Sequence, residues 1–169
     1  NTGDGAGILM AIPDGFFRIE AKKLNLDLPV KGSYAVGNIF LPQSADERKF
    51  CKELIESVIK DENQFFIGWR DVPIDPKKAN VGPASLKAQP HISQLFIGKE
   101  DLIDEAEFER KIYLIRKKFS HQLRGSQDLT EAGLLYACSL SSTVIVYKGM
   151  LTPSQLFPFY PDLEDKNFQ

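Results

Sequence analysis

The spacing of apolar positions is helical in two stretches of the chain. Phe50, Leu54 and Val58 recur every four residues behind Ser44, and a second stripe runs from Phe108 to Phe119. Such spacing places the apolar side chains on one face of a helix, which then packs on a sheet. We therefore predict an amphipathic helix of about four turns after Ser44. We predict a second helix over Asp104–Ser120, with His121 as its C-terminal cap.

Other apolar stretches are rich in β-branched and aromatic residues, which is typical of strands. They lie at Ala6–Ile12, Ser33–Phe40, Gln64–Val72 and Pro90–Ile97. A final β unit is predicted from Leu134–Leu140, a tight turn at Ser141-Ser142, and Thr143–Tyr147.

Two shorter helices and one long connection complete the order of elements. The helices are predicted over Asp14–Leu24 and after Thr152, where Thr152 is the N-cap and Pro153 the first helical residue. Residues 73–90 hold four prolines and should form an ordered loop or a short helix. The order β-α-β-α-β-loop-β-α-ββ-α favours one layered α/β or α+β domain.

The amino-acid composition argues against nucleic acid and membranes as binding partners. The 169 residues are 43% hydrophobic and 26% charged, which is typical of a globular domain. A net charge of -2 offers no basic surface for nucleic acid, and no apolar run reaches the roughly 18 residues that a membrane span needs. Cys51 and Cys138 are predicted to be buried free thiols in a reducing compartment. We expect neither a nucleic-acid nor a membrane partner.

The opening residues Thr2, Gly3, Asp4 and Gly5 form a glycine-rich segment that runs into the first strand. Glycine permits positive φ and close approach of a ligand to the backbone, so we predict a tight turn here. Phosphate-binding fingerprints place their glycines between a strand and a helix, and one of them adds a lysine. Neither condition is met, which favours a turn that lines another kind of site, with a purely structural turn as the alternative.

No other group of residues carries an enzymatic reaction by itself. Asp71 and Asp75 could be paired carboxylates, but they bracket a proline where a strand meets a loop, and aspartates commonly close turns there. His91 and His121 lack partners at metal-ligand spacing. The basic run at 116–118 is predicted to be a solvated helix face.

Three stretches together resemble the N-terminal class II glutamine amidotransferase domain of the glutamate synthase large chain. They are TGDGAGIL at 2–9, GWRDVP at 68–73 and VYKGMLTP at 146–153. The resemblance covers nearly the whole chain. It implies an α+β fold of the N-terminal-nucleophile hydrolase type, a four-layer αββα sandwich of which residues 1–169 form a single, incomplete domain.

The resemblance also implies an activity. In the family, the terminal cysteine of the mature chain attacks the side-chain amide of glutamine with its own α-amino group as the base. Ammonia then passes to a distant flavin-dependent site that makes glutamate from 2-oxoglutarate. The cysteine is expected upstream of Thr2 and the glutamine-holding residues beyond Phe168. We therefore expect no catalytic residue and no metal site in this chain, little activity of the chain alone, and a site lining formed by Thr2, Gly3, Asp4 and Gly5.

The implied cofactors lie elsewhere: none in this segment, with FMN and an iron–sulfur cluster in the remainder of the full-length protein. The implied partners are glutamine, the other domains of the large chain, and a small subunit or ferredoxin. The cytoplasm or the plastid stroma is the expected location. The competing interpretation is a non-catalytic structural or binding module that keeps the amidotransferase scaffold. If strands are missing, apolar surface should be exposed, which predicts marginal stability or association.

Overall fold

Two antiparallel sheets and five α-helices make up residues 4–168, the part of the chain that the computed structural model describes. The strands are β1 (Ala6–Ala11), β2 (Tyr34–Leu41), β3 (Phe65–Asp71), β4 (His91–Gly98), β5 (Tyr136–Ala137) and β6 (Val144–Gly149). The helices are α1 (Asp14–Lys23), α2 (Ala45–Asp61), α3 (Pro83–Lys87), α4 (Glu105–Arg124) and α5 (Pro153–Phe159). The α+β class is confirmed.

The pairing of the last two strands differs from the prediction. One sheet has the order β3-β4-β2-β5, and the other contains β1 and β6. The predicted β unit over 134–147 is therefore wrong as a pair of strands joined by a tight turn. Its first strand shrinks to Tyr136–Ala137 and pairs with β2, while its second pairs with β1. The residues between them carry the chain from one sheet to the other.

Two contacts hold this crossing segment. The Glu109 carboxylate accepts a hydrogen bond from the Ser142 hydroxyl at 2.6 Å and one from the Ser141 hydroxyl at 3.1 Å. On the other side the segment runs against β2 at Gly37, where a Cβ atom would lie 1.9 Å from the carbonyl oxygen of Ser139. Only glycine permits this approach of two backbones.

Helices α2 and α4 cover one face of the four-stranded sheet, as their apolar stripes predict. Ile55 and Ile59 of α2 and Ile112 and Ile115 of α4 are buried against the sheet. Central strands β2 and β4 are buried on both faces, because alternate residues contribute to the core on either side. This double burial explains why their sequences alternate poorly between apolar and polar positions.

The end of α4 lies beyond its predicted position. His121 is inside the last turn and is not the cap, because the buried stripe continues to Leu123 and the helix ends at Gly125. The basic run is solvated, as predicted: Lys117 and Lys118 are exposed and Arg116 is partly exposed, and Lys118 also pairs with Glu62 at the end of α2. Lys111 also donates to Glu62, at 3.0 Å. The two helices are thus joined by one carboxylate between two lysines.

A second core fills the space between the two sheets, with α1, α5 and the C-terminal residues around it. Its aromatic rings meet edge to face, as do Phe16 and Phe168 at 4.9 Å between ring centroids. The tail from Pro158, which lacks the periodicity to pack alone, is buried here through Phe159 and Tyr160. Helix α5 begins at Pro153 behind a capping box at Thr152, which confirms the predicted start.

This second core also contains a buried ionic network. The Arg70 guanidinium donates two hydrogen bonds of 2.8 Å to Asp162 and one of 2.8 Å to Gln94. The Tyr147 hydroxyl donates to Asp162 at 2.8 Å and accepts from Gln94 at 2.6 Å. Glu20 of α1 pairs with the same guanidinium at 3.0 Å. The network ties α1, β3, β4 and β6 to the C-terminal tail.

The side of β1 and β6 that faces away from the second core is partly open. Leu9 is 65% exposed there, and its partner across the strand pair is Val146. Apolar surface is thus exposed, as the sequence predicts; whether it leads to association stays a prediction. None of the helices within residues 4–168 is both long enough and apolar enough to cross a membrane.

Candidate functional site

The opening loop borders a wide cavity of about 680 Å³ at the start of the two-stranded sheet. Asp4 and Gly5 line it and are exposed, and Gly5 has a φ of 132°, a conformation that glycine tolerates and other residues rarely adopt. Thr2 and Gly3, which are also predicted to line a site, lie outside the described residues. The two predicted residues that the structure describes therefore do face open space rather than packed core.

The wall beside the opening loop is the end of β6. Antiparallel pairing places Gly149 beside Ala6 and Lys148 beside Gly7, so the glycine-rich start of β1 and the YKGM stretch meet at one end of the sheet. Met150, which is 53% exposed, completes this wall. Two of the stretches that carry the family resemblance thus lie side by side and line one cavity.

Lys148 is the lysine of this wall, and no sequence pattern predicts a role for it. Its ammonium donates a hydrogen bond of 2.8 Å to the Tyr136 hydroxyl and lies 4.2 Å from the centre of that ring. Tyr136 and Phe40, also in contact with each other, line the same cavity. The available signal was the position of Lys148 inside a family-specific stretch, but its proximity to the opening loop depends on a strand pairing that only the fold reveals.

Buried polar groups hold β6 in place behind the cavity. The Asn38 amide donates to the Val146 carbonyl at 2.9 Å, and the Val146 amide donates to the Ser139 hydroxyl at 3.0 Å. The Tyr160 hydroxyl donates to the Lys148 carbonyl at 2.8 Å. Each bond links β6 to a different part of the fold, so the backbone that presents Lys148 is fixed from several sides.

The residues weighed as alternative chemistry fall elsewhere. Asp75 accepts a hydrogen bond from the Lys78 amide at 2.8 Å and closes a turn, as predicted. Asp71 instead contacts His91 at 2.9 Å and accepts from Ser93 at 2.7 Å. Burial alone would raise the pKa of Asp71, but the hydrogen bonds from His91 and Ser93 outweigh it and leave that pKa lowered. The Asp71 carboxylate lies between His91 and Ser93, so the imidazole does not contact the serine hydroxyl. A catalytic triad instead places the histidine between the acid and the serine, so this arrangement does not activate Ser93 as a nucleophile.

Neither cysteine is a reactive thiol. Burial raises the pKa of Cys51 to about 11 and that of Cys138 to about 12, so both thiols are protonated near neutral pH. Over residues 4–168 there is also no group of three or more histidine, cysteine or acidic side chains that could hold a metal ion. The described residues around the cavity thus bring together one cation and one phenol, Lys148 and Tyr136.

Comparison with known proteins gives a consistent picture. A family profile described as "Glutamine amidotransferases class-II" matches residues 1–169. The "Glutamate synthase [NADPH] large chain" of Bacillus subtilis is 46% identical over 169 residues, which is 99% of this chain and 10% of the relative. "Glutamate synthase [NADH]" of Saccharomyces cerevisiae is 38% identical over 99% of this chain and 8% of its own length.

A plant relative is similar to the same extent. The "Ferredoxin-dependent glutamate synthase 1, chloroplastic/mitochondrial" of Arabidopsis thaliana is 37% identical over all of this chain and 10% of its own length. The chain thus spans about a tenth of the length of the curated relatives that it matches.

Proposed function

The chain belongs to the class-II glutamine amidotransferases, and we propose that it forms part of the glutaminase domain of a glutamate synthase. The proposed activity of the full-length protein is hydrolysis of glutamine to glutamate and ammonia, followed by reductive transfer of the ammonia to 2-oxoglutarate. The observation that carries the proposal is the position of the opening loop. It leads into a cavity that the VYKGMLTP stretch at 146–153 also lines, from the neighbouring strand β6.

The proposed reaction needs a thiolate that the described residues do not supply. In it, the sulfur of an N-terminal cysteine adds to the side-chain carbonyl carbon of glutamine, with the α-amino group as the proton acceptor. The carbon–nitrogen bond then breaks, ammonia leaves with that proton, and water hydrolyses the thioester to glutamate. Cys51 is buried, Cys138 is only half-buried contrary to the prediction, and the pKa of both thiols is raised, so we assign the nucleophile to sequence that precedes this segment in the full-length protein.

The role of this segment is to line the glutamine site. We assign that role to Thr2, Gly3, Asp4 and Gly5, which is supported by the exposure of Asp4 and Gly5 at the cavity. A lysine ammonium is a strong partner for a carboxylate, and Lys148 brings one to the same cavity from the neighbouring strand. We infer that it holds the carboxylate of glutamine.

The fold proposed for the complete domain is the αββα sandwich of N-terminal-nucleophile hydrolases, with residues 1–169 as one incomplete domain. Helices α2 and α4, the four-stranded sheet and the β1–β6 pair supply three successive layers that support this proposal.

Cofactors and the remaining partners are placed in the rest of the full-length protein: FMN, an iron–sulfur cluster, the other domains, and a small subunit or ferredoxin. The relatives are named for three different electron donors. The sequence identity to this segment is 46% for the NADPH enzyme, 38% for the NADH enzyme and 37% for the ferredoxin-dependent enzyme. Because the segment is similar in enzymes with different donors, we propose that it does not determine which electron donor the full-length protein uses. The proposed location is the cytoplasm or the plastid stroma.

The proposal is tested on the full-length protein with 6-diazo-5-oxo-L-norleucine, an electrophilic analogue of glutamine. We expect a single adduct on a processed N-terminal cysteine, together with loss of ammonia release from glutamine. A full-length protein without that cysteine, or one that releases ammonia undiminished after labelling, would contradict the enzyme proposal and favour the non-catalytic scaffold.

The role of Lys148 has its own test in the same protein. Lys148→Met should raise the KM for glutamine about tenfold, since a hydrogen bond to a charged group is lost. Glutamate synthesis from added ammonia should be unchanged. Lys117→Met, which removes an exposed lysine from α4, is the matched control and should leave both activities unaltered. Equal loss of both activities in Lys148→Met would instead indicate a structural role.

A further inference from the structure

A small cavity of about 300 Å³ lies where the second half of α4 meets the edge strand β5. Its helical wall carries four basic side chains, Arg116, Lys117, His121 and Arg124, which we call the basic cluster. Ser120 lies among them, and the two residues of β5 complete the lining. Within the described residues no acidic side chain lines this α4–β5 cavity. The chain has a net charge of -2, yet positive charge is concentrated at this one place.

The basic cluster lacks the partners that two other cations of α4 have. Lys111 and Lys118 are both paired with the Glu62 carboxylate. Over residues 4–168, the side chains of the basic cluster form neither a salt bridge nor a hydrogen bond, and the Lys117 ammonium only approaches the Tyr113 ring, at 5.6 Å from its centre. Because like charges in one space repel each other, basic groups gathered around one cavity call for a counter-charge.

The helix dipole explains only half of the basic cluster. The C-terminus of a helix stabilises cations, but this effect falls off within the last turn. His121 and Arg124 lie in that turn. Arg116 and Lys117 lie about two turns before the helix ends at Arg124, so their charges have no such role.

Cations approach β5 from two elements, with Arg116 on α4 and Lys148 on β6. Burial raises the pKa of the Cys138 thiol, directly after β5, to about 12, and the charges of Lys148 and Arg116 act against that rise. Lys148 also donates a hydrogen bond of 2.8 Å to the hydroxyl of Tyr136, which lines the α4–β5 cavity. Positive charge from β6 therefore adds to that of the basic cluster.

A phosphate group fits what this lining offers. Guanidinium groups present paired N–H donors that match two phosphate oxygens, and ammonium and hydroxyl groups can donate to the others. A phosphate also carries more negative charge near neutral pH than a carboxylate does. The volume of the cavity lies at the lower end of the range for small-molecule sites, which begins at about 300 Å³, so it favours a small anion over a protein segment.

We propose that the α4–β5 cavity binds a phosphate group, either as inorganic phosphate or as the phosphate of a small ester. Arg116 and Arg124 flank Ser120 along one line of the helix, four residues to either side, and supply the paired donors. The site does not depend on glutamine hydrolysis, because no member of the basic cluster lines the cavity beside the opening loop.

Inorganic phosphate and phenyl phosphate are the probes, in phosphorus NMR titrations of the full-length protein at low ionic strength, where exposed charges are screened least. Arg116→Gln and Arg124→Gln should each raise the dissociation constant for inorganic phosphate about tenfold, since hydrogen bonds to a charged group are lost. Arg110→Gln removes the same charge from an exposed position of α4 outside the cavity and should leave that constant unchanged. Phenyl phosphate that binds at least as tightly identifies an ester as the occupant, and weaker binding identifies free phosphate.

An unaltered protein that does not bind phosphate would overturn the proposal. Equal weakening in Arg110→Gln would overturn it as well, because the attraction would then come from the overall charge of the helix. A pentaglutamate peptide that binds more tightly than both probes, and loses affinity in the same two variants, would replace phosphate by an acidic protein segment. If the protein binds phosphate here but does not hydrolyse glutamine, the proposed function fails and this inference stands.

Discussion

The face of the four-stranded sheet that packs on α2 and α4 is filled by apolar side chains, whereas the face that packs on β1 and β6 holds a buried arginine and its partners. Both faces belong to the same strands, and alternate residues of β2 and β4 serve each of them. Apolar contacts are non-directional and tolerate repacking, while hydrogen bonds to Arg70 and Asp162 are satisfied in one geometry. We infer that the helical face supplies stability and that the other face fixes how the sheets, and hence the cavity beside β6, are aligned.

Arg70→Met should have the largest effect. It leaves the Asp162 carboxylate buried without its cation, and breaking such a pair costs about 3–5 kcal/mol of unfolding free energy. Urea unfolding of the chain measures it. The double variant Arg70→Met/Asp162→Leu removes both charges and should be more stable than the single variant. If Arg70→Met lowers the unfolding free energy by less than about 1 kcal/mol, the ionic network around Arg70 does not fix the arrangement of the two sheets.

Ile112→Ala tests the helical face and should cost roughly 2–4 kcal/mol, because it opens a cavity in a fully buried position. The matched control is Ile112→Leu, which keeps the volume and should cost less than about 1.5 kcal/mol. Both are read from the same urea transitions. If Ile112→Leu lowers the unfolding free energy as much as Ile112→Ala does, the helical face tolerates repacking no better than the face that holds Arg70.

These two expectations indicate how much of the fold is readable from sequence. The stripes that end at Val58 and Phe119 predict α2 and α4 because one amphipathic helix needs only its own periodicity. Periodicity says nothing about which strand pairs with which, so β5 and β6 were interpreted as neighbours although they belong to different sheets. Arg70 and Asp162 sit 92 positions apart, and no local pattern links them.

The same limit applies to the site. The glycines at 3 and 5 predict a loop beside a site from local chemistry, and Gly5 does have the positive φ that glycine permits. Lys148 was missed because its importance depends on the pairing of β6 with β1. The role of a residue such as Gly5, which depends on its own backbone conformation, can thus be predicted from sequence. The role of a residue such as Lys148 depends on a neighbour far away in the chain and cannot.

Tyr160→Phe tests one polar contact on the face of the sheet that packs on β1 and β6, at the edge of the cavity. It removes the hydrogen bond to the Lys148 carbonyl and should cost about 1 kcal/mol. The ring stays in its aromatic cluster, so packing is preserved. Tyr113→Phe, an exposed tyrosine of α4, is the control and should be neutral in the same thermal or urea unfolding experiment. A neutral Tyr160→Phe would show that β6 needs no support at this point.

Glu62→Gln should have the smallest effect at neutral pH, about 1 kcal/mol or less. Hydrogen bonding from Lys118, with a second bond from Lys111, holds the pKa of Glu62 below its ordinary value of 4.5 despite burial. A carboxyl with a lowered pKa in the folded state stabilises the fold above its unfolded pKa, and that contribution is lost as the pH falls through the folded pKa.

The unfolding free energy of the unaltered chain should therefore decline below about pH 4.5, and Glu62→Gln should decline less steeply. Denaturation midpoints between neutral and acidic pH measure this, with Glu53→Gln, an exposed position on the same helix, as control. Parallel curves for both variants would show that the acid sensitivity arises elsewhere in the chain.

The pairing of β1 with β6 has a consequence for how the chain is made. Ala11 pairs with Val144, so almost the whole segment must leave the ribosome before the first strand finds its partner. The contacts of α2 with β3 and of β2 with β4 are closer in sequence and can form earlier, since shorter loops close at lower entropic cost. We expect the opening loop to stay unpaired during synthesis until residues 144–149 emerge, which makes the cavity wall one of the later parts of this segment to mature.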